Sequence, residues 1–364
     1  MDACYLGDDY YVIPDNLYPG NVQAVVYNES IAEKYNIEIP EEYEDTLQFF
    51  EELLINAEKS GFPGCPSSRG DGFGIAIPDV NMECFGDSIS AAYGVLPDMS
   101  SDYIIEDIYE TDEFYNYCLK IREWMDKGYL DPDSFSEGRP VLDDLINEKI
   151  FCVLSSGAFS SPSRTLSGNK LSYIMKNEPE ITGDNVKGQS LAITSFCRNP
   201  EKCMEFINLL YTDENLSRLI NHGIEGVHYI KKSDHIIELP AGVNPGEAGY
   251  GSAMVSIGDS SMNYLYVPDT EDDFENMHNF SSEKAGMSIA FGYSFDAQSV
   301  AARVAAVTQV INKYRPGLLC GLVDVENVYP EFIDELKKAG IDDIIAENQR
   351  QLDAWLENNG KKSE

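Results

Sequence analysis

The run Gly223-Ile224-Glu225-Gly226-Val227-His228-Tyr229 sets a carboxylate, an imidazole and a phenol in one glycine-punctuated turn. Such groups can hydrogen-bond a polyhydroxylated ligand or hold a proton for acid–base chemistry. Glu225 and His228 are therefore candidate polar contacts. Catalytic signatures fail on spacing. Gly86-Asp87-Ser88 and Gly258-Asp259-Ser260 mimic the start of a GDS-type esterase block, which also needs an Asp-x-x-His. The histidines His222, His228, His235 and His278 are preceded at that spacing by Leu219, Glu225, Lys232 and Glu275. Neither G-x-S-x-G nor H-E-x-x-H occurs. With 63 acidic residues, a carboxylate pair suited to glycoside hydrolysis stays open as an alternative. No spacing demands catalysis, so the expectation is a protein that is not an enzyme and carries no cofactor.

Metal and redox motifs are equally absent. The eight cysteines form no C-x-x-C pair, so zinc spacing and the dithiol redox motif are missing. Cys118 and Cys203 sit in apolar helical patterns and are expected to be small core residues. Asp269-Thr270-Glu271-Asp272-Asp273 invites calcium, but an EF-hand beginning there would need Gly at Phe274 and Glu at Phe280. A solvated acidic loop is expected instead. Arg69-Gly70-Asp71-Gly72-Phe73-Gly74 lacks the lysine of a phosphate loop and the full dinucleotide spacing.

Length and charge narrow the class. A chain of 364 residues exceeds one ordinary core, which predicts two lobes. A net charge of −37 disfavours nucleic acid and anionic membrane surfaces, which need clustered Lys and Arg. No apolar run approaches the roughly 20 residues of a membrane span. The 22 tyrosines suit a wet ligand cleft, offering flat apolar faces with polar tips.

The elements that must position these groups follow from periodicity. Val22 to Tyr27 and Ile150 to Leu154 are predicted as strands, and Leu191 to Ile193 as a short buried one. Tyr43, Leu47, Phe50, Leu54 and Ala57 mark a helix stopped by Gly61. Thr111 caps a helix whose face carries Phe114, Cys118, Ile121 and Met125. Trp124, near its end, is expected to pack. Phe85 is a candidate ligand-facing aromatic. Asn199-Pro200 opens a helix with Met204, Ile207, Leu210 and Tyr211 inward. Thr212 is expected to cap the next, with Leu216, Leu219 and Ile220 inward and Gly223 as its stop. Asp296 caps a long helix bearing Val300, Val304, Val307 and Ile311, and Pro330 to Leu336 and Glu347 to Trp355 supply two closing helices.

Three motifs in this order resemble a known group: the Asn199-Pro200-Glu201-Lys202 helix start, the Leu209-Leu210-Tyr211-Thr212-Asp213 turn and the ending from Gly223 to Tyr229. The chain resembles the extracellular solute-binding proteins of ABC importers. Within them it is similar to the lipoprotein group with a C-terminal DUF3502-type domain. Phe291-Gly292-Tyr293-Ser294-Phe295-Asp296 and Leu336 to Asp342 match that domain. The resemblance implies an α/β, type II periplasmic-binding-protein-like fold, two lobes with a hinge, the first incomplete. Residues 1–15 would be a remnant of lobe 1 and hinge, 16–190 lobe 2, and 191–258 a lobe 1 segment. Residues 259–364 would be a hinge crossing and C-terminal helical region packed on lobe 2. It further implies capture of a carbohydrate, an oligosaccharide, for permease subunits, by a monomer held outside the cell through a lipid anchor. Met1-Asp2-Ala3-Cys4-Tyr5 lacks a signal-peptide pattern, so the chain is expected to enter roughly a hundred residues into the family's length. The alternatives are a glycan-active hydrolase and a fragment that binds nothing. The resemblance places Asn16 at the cleft, and Phe159 in a glycine-aromatic turn that stacks on sugar. Tyr293 and Phe295 would also stack at the cleft rim. Asn263 lies in a segment that usually carries Gly-Asn, where Gly258-Asp259 departs from the pattern, and is a polar candidate.

Overall fold

The computed structural model describes residues 4–6, 9–14, 22–68, 87, 93–97, 103–131, 141–157, 163–166, 169–175, 180–188, 190–243, 250, 258–267, 269–283 and 286–359. Asn16, Phe85 and Phe159 lie outside the described residues, as does the glycine loop 69–74.

A six-stranded mixed sheet forms the main layer. Its order is Ser163–Leu166, Asn169–Met175, Val22–Asn28, Ile150–Gly157, Cys65–Ser68 and Leu130–Asp131. The first four strands pair antiparallel and the last two join in parallel. The Val22–Asn28 strand is apolar without interruption at Ala24, Val25 and Val26 because both faces are covered. Val25 and Tyr27 enter the main core, whereas Val26 enters a smaller cluster with Leu145, Ile150, Val153 and Leu171. Asn28 ends the strand: its Oδ1 accepts from Ile31 N at 3.1 Å, and its Nδ2 donates to Leu145 O and Asn169 Oδ1 at 3.0 Å each. One buried amide thus caps the Glu29–Tyr35 helix and ties it to neighbouring segments.

Helix starts agree with side-chain chemistry. Asp45, Thr111 and Asn199 cap their helices as acceptors, and Gly61 stops the Thr46–Ser60 helix with φ 74°. Trp124 is buried against Phe50, ring centroids 5.2 Å apart, and its Nε1 donates to Glu51 at 3.2 Å. Several expectations shift. Asp213 rather than Thr212 caps Glu214–His222, since its Oδ1 reaches both Asn215 N and Leu216 N. The run at Leu191 gives only the two-residue strand Ser190–Leu191. Met204 and Leu219, expected inward, are each 47% exposed because the Pro200–Leu210 and Glu214–His222 helices are covered on one side only. The acidic segment at Asp269 is not a solvated loop but leads into the Glu271–Glu283 helix, with Thr270 and Asp273 bonded reciprocally at its start. Pro330 does not begin a helix; Asp324 caps Val325–Ala339 and the proline sits inside it.

The helices Ala301–Leu319, Val325–Ala339 and Ile341–Asn358 share one continuous core with the sheet and its helices. Tyr109 meets Phe114 and Phe332 edge-on at 5.3 and 5.2 Å, and Arg315 donates to its hydroxyl at 3.2 Å. Beside this seam Asp107 accepts from Tyr109 N at 2.9 Å through Oδ1, while its buried Oδ2 has no partner. Carboxylate oxygens of Asp107, Glu110 and Asp342 lie within 4.8 Å of one another, with Lys337 bonded to Glu110 at 2.6 Å. Burial, and secondarily the neighbouring carboxylates, push the Asp107 carboxyl up to about 7. Its folded value lies above its unfolded value, so the folded state holds the proton more tightly. Stability then falls as pH rises from about 4 to about 7, by on the order of a few kcal/mol. In urea titrations at pH 4 and pH 7, Asp107→Asn should lose less stability across that interval than the parent protein. An equal loss in both would exclude Asp107 as its source.

Candidate functional site

The Glu214–His222 helix is polar where it is buried. Ser217, Asn221 and His222 point inward, and Asn221 Nδ2 donates to Ser217 O at 2.9 Å. Arg218 donates from Nε to Met262 O at 2.9 Å, pairs with Glu214 at 2.5 Å and lies 4.2 Å from the centroid of the Tyr264 ring. The helix ends at Gly223, φ 82°, where a Cβ would strike the Tyr250 ring at 2.7 Å and the His228 imidazole. Only glycine fits there.

His222 Nε2 accepts from Tyr264 N at 3.1 Å, so in the neutral ring the proton sits on Nδ1. That Nδ1 is buried without a partner. Burial first, and the Arg218 charge second, lower the imidazole to about 4. The rings of Tyr264, Tyr266 and Tyr229 surround it at centroid distances of 5.4, 5.9 and 6.3 Å. Next in sequence to Tyr264, Asn263 is 7% exposed, and neither its Oδ1 nor its Nδ2 has a partner. Within one small region the protein therefore buries an imidazole donor and a complete amide without satisfying them. Each such group costs about 1–3 kcal/mol relative to a satisfied one. An amide offers an acceptor and donors side by side, which matches the hydroxyl groups of a sugar.

The sequence-predicted residues separate in the fold. Asn263 joins the His222 cluster. Glu225 is exposed on the adjoining turn, and Gly226, with φ 77°, donates from N to Tyr229 O at 2.8 Å. His228 is half-buried, but its Nδ1 accepts from Ile224 N at 2.9 Å, which commits that nitrogen to holding the turn. Tyr293 and Phe295 correct the expectation of rim aromatics. Both are buried in the main core, and the Tyr293 hydroxyl is 2.6 Å from Asn348 Oδ1 and 3.0 Å from Asn348 O. The Tyr293 ring packs against the Ile341–Asn358 helix, 5.9 Å from Trp355 between ring centroids. Asp259, at the Gly258-Asp259 departure, accepts from Ser261 N and caps the Ser260–Met262 turn. His222 was missed. Its signal is the polar spacing Ser217–Asn221 with Arg218–His222 on a helix whose Leu219 turns outward.

His222 also sets a pH dependence opposite to that of Asp107. Its folded value is below its unfolded value, so its contribution is complete above about 6.5 and is lost as pH falls toward about 4. His222→Gln keeps an acceptor for Tyr264 N. The stability difference between parent and variant should shrink as pH falls from 7 to 4, measured by urea unfolding. A difference independent of pH would remove the buried neutral imidazole from the account.

Comparison with known proteins covers both the C-terminal helices and the whole chain. The family model DUF3502, a domain of unknown function, matches residues 289–357. A carbohydrate ABC transporter substrate-binding protein of Streptococcus pneumoniae is 22% identical over 359 residues, spanning 96% of this chain and 70% of the relative. The crystal structure of the N-glycan transport solute-binding protein NgtS from S. pneumoniae superposes with a TM-score of 0.78 at 19% identity, covering 99% of this chain and 78% of that one. NgtS in complex with Man5GlcNAc gives 0.77 at 20% identity, with 100% and 78% covered. The S. pneumoniae substrate-binding protein FusA in complex with kestose gives 0.61 at 15% identity, with 98% and 78% covered. The chain thus has the α/β fold of type II periplasmic solute-binding proteins, and its residues 289–357 match the DUF3502 family model.

Proposed function

We propose that this protein is the substrate-binding component of an ABC importer that captures an oligosaccharide outside the cell and hands it to permease subunits. The observation that carries this reading is the fold match over essentially the whole chain to solute-binding proteins solved with sugars bound, Man5GlcNAc in NgtS and kestose in FusA. The unsatisfied Asn263 amide and the His222 Nδ1–H support a ligand rich in hydroxyl groups. The expected boundary at residue 258 would move: 191–283, joined by the pairing of Ile236–Ile237 with Leu265–Tyr266, would form part of one lobe and 16–190 with 288–364 the other, with closure about the crossings between them. Glu225 stands at the edge of the same segment as an exposed acceptor. The protein acts as a monomer and performs no chemistry on its cargo; a cell-surface lipid anchor agrees with the importer role.

Titration calorimetry with Man5GlcNAc, shorter mannosyl-GlcNAc oligosaccharides and kestose tests the reading. At least one should bind without any product appearing on prolonged incubation. Asn263→Ala should weaken that binding by about tenfold or more while leaving the protein as stable as before or more so, since the substitution removes a buried unsatisfied amide. Turnover of a labelled oligosaccharide would overturn the binding-protein reading. Unchanged affinity in the variant would remove Asn263 from the site.

A further inference from the structure

The start of the Pro200–Leu210 helix carries a feature that importer function does not require. Cys203 was expected in the core, yet it is only half-buried and faces Cys197 with their sulfurs 3.3 Å apart. The intervening chain is folded tightly. Cys197 N donates to Thr194 O at 3.0 Å, Asn199 Oδ1 accepts from Lys202 N at 3.2 Å, and Cys203 N donates to Asn199 O at 3.2 Å. The backbone therefore holds the two thiols together already, and bond formation needs the sulfurs to close only to about 2.0 Å. The remaining described cysteines differ. Cys4, Cys118, Cys152 and Cys320 are buried, and the Cys65 thiol faces the Gly128 and Tyr129 carbonyls.

We propose that Cys197 and Cys203 are a modification site that oxidises to an intramolecular disulfide and staples the turn that starts this helix. The oxidant is a small-molecule disulfide of the glutathione class. One cysteine loses its proton, and the thiolate attacks a sulfur of the small disulfide, expelling one small thiolate and leaving a mixed disulfide. The second cysteine, deprotonated in turn, attacks the protein-bound sulfur and expels the other small thiolate. One sulfur–sulfur bond forms and one breaks. The protein loses two electrons, the small disulfide gains them, and the two protons leave with the released thiols. Partial exposure gives the oxidant access. The hydrogen bond between the thiols, and then burial, hold Cys203 above the ordinary thiol value, so the exchange quickens with rising pH. An oxidising extracellular setting would keep the bond closed, but the geometry does not depend on the importer reading.

The helix stapled here leads through Tyr211 to Asp213, the cap of the helix that bears His222. Leu210 O at its far end also accepts from Asp259 N at 3.2 Å. The staple would thus stiffen the support of the Asn263 region without touching it.

Arg198 and Lys202 lie between the two cysteines, so trypsin separates them unless the disulfide joins their peptides. The full-length protein is incubated with oxidised and reduced glutathione at pH 8.5, quenched with acid, alkylated and digested without reduction. The expected product is peptide 188–198 linked to peptide 203–218, parting on reduction, while the other cysteines are recovered alkylated. The oxidised parent should melt a few degrees above its reduced form, and Cys197→Ser should show no such rise. Recovery of both cysteines alkylated, or of either one linked to a different partner, would overturn the proposal. So would a linked pair with no rise in melting temperature, because the bond would then staple nothing.

Discussion

The structure depends on one continuous apolar core shared by the six-stranded sheet, its covering helices and the three C-terminal helices. Tyr109 stands at its seam, with Phe114 on one side and Phe332 on the other. Burial pushes its phenol up to about 12 despite the adjacent Arg315, so the ring behaves as a neutral packing group with one hydrogen-bond handle. The C-terminal helices are consequently part of the body that holds the sheet. Removing residues 289–357 would uncover Tyr109 and the Asp112–Asp126 helix, which pack against them.

That constraint decides which aromatic residues are free to meet a ligand. A ring at the start of a helix can face solvent or a neighbour, and the choice lies with whatever packs above it. Here Ile341–Asn358 supplies Asn348 and Trp355, so Tyr293 is committed to the core. The region around His222 shows the reverse pattern. Its groups are buried among tyrosines, yet Asn263 and the His222 Nδ1 find no protein partner. A protein core normally satisfies its buried polar groups, and exceptions concentrate where a ligand or ordered water completes the set.

The amino-acid sequence alone determined the local structure wherever one residue dictates one backbone requirement. Asn199-Pro200, Thr111, Gly61 and Gly223 marked their helix boundaries because caps and positive φ are properties of individual residues. The apolar runs Val22 to Tyr27 and Ile150 to Leu154 marked two central strands, and the joined motifs pointed to the fold class. Tertiary structure decided the rest. Met204 and Leu219 have apolar spacing but lie outward, because periodicity identifies a face and not whether anything covers it. Tyr293 and Phe295 became core, Cys203 became half-exposed beside Cys197, and His222 became a buried neutral imidazole. Each of those outcomes depends on residues distant in the chain or on the path of the backbone between them. Burial and pairing are properties of the assembled packing, and a residue's type and spacing do not contain them.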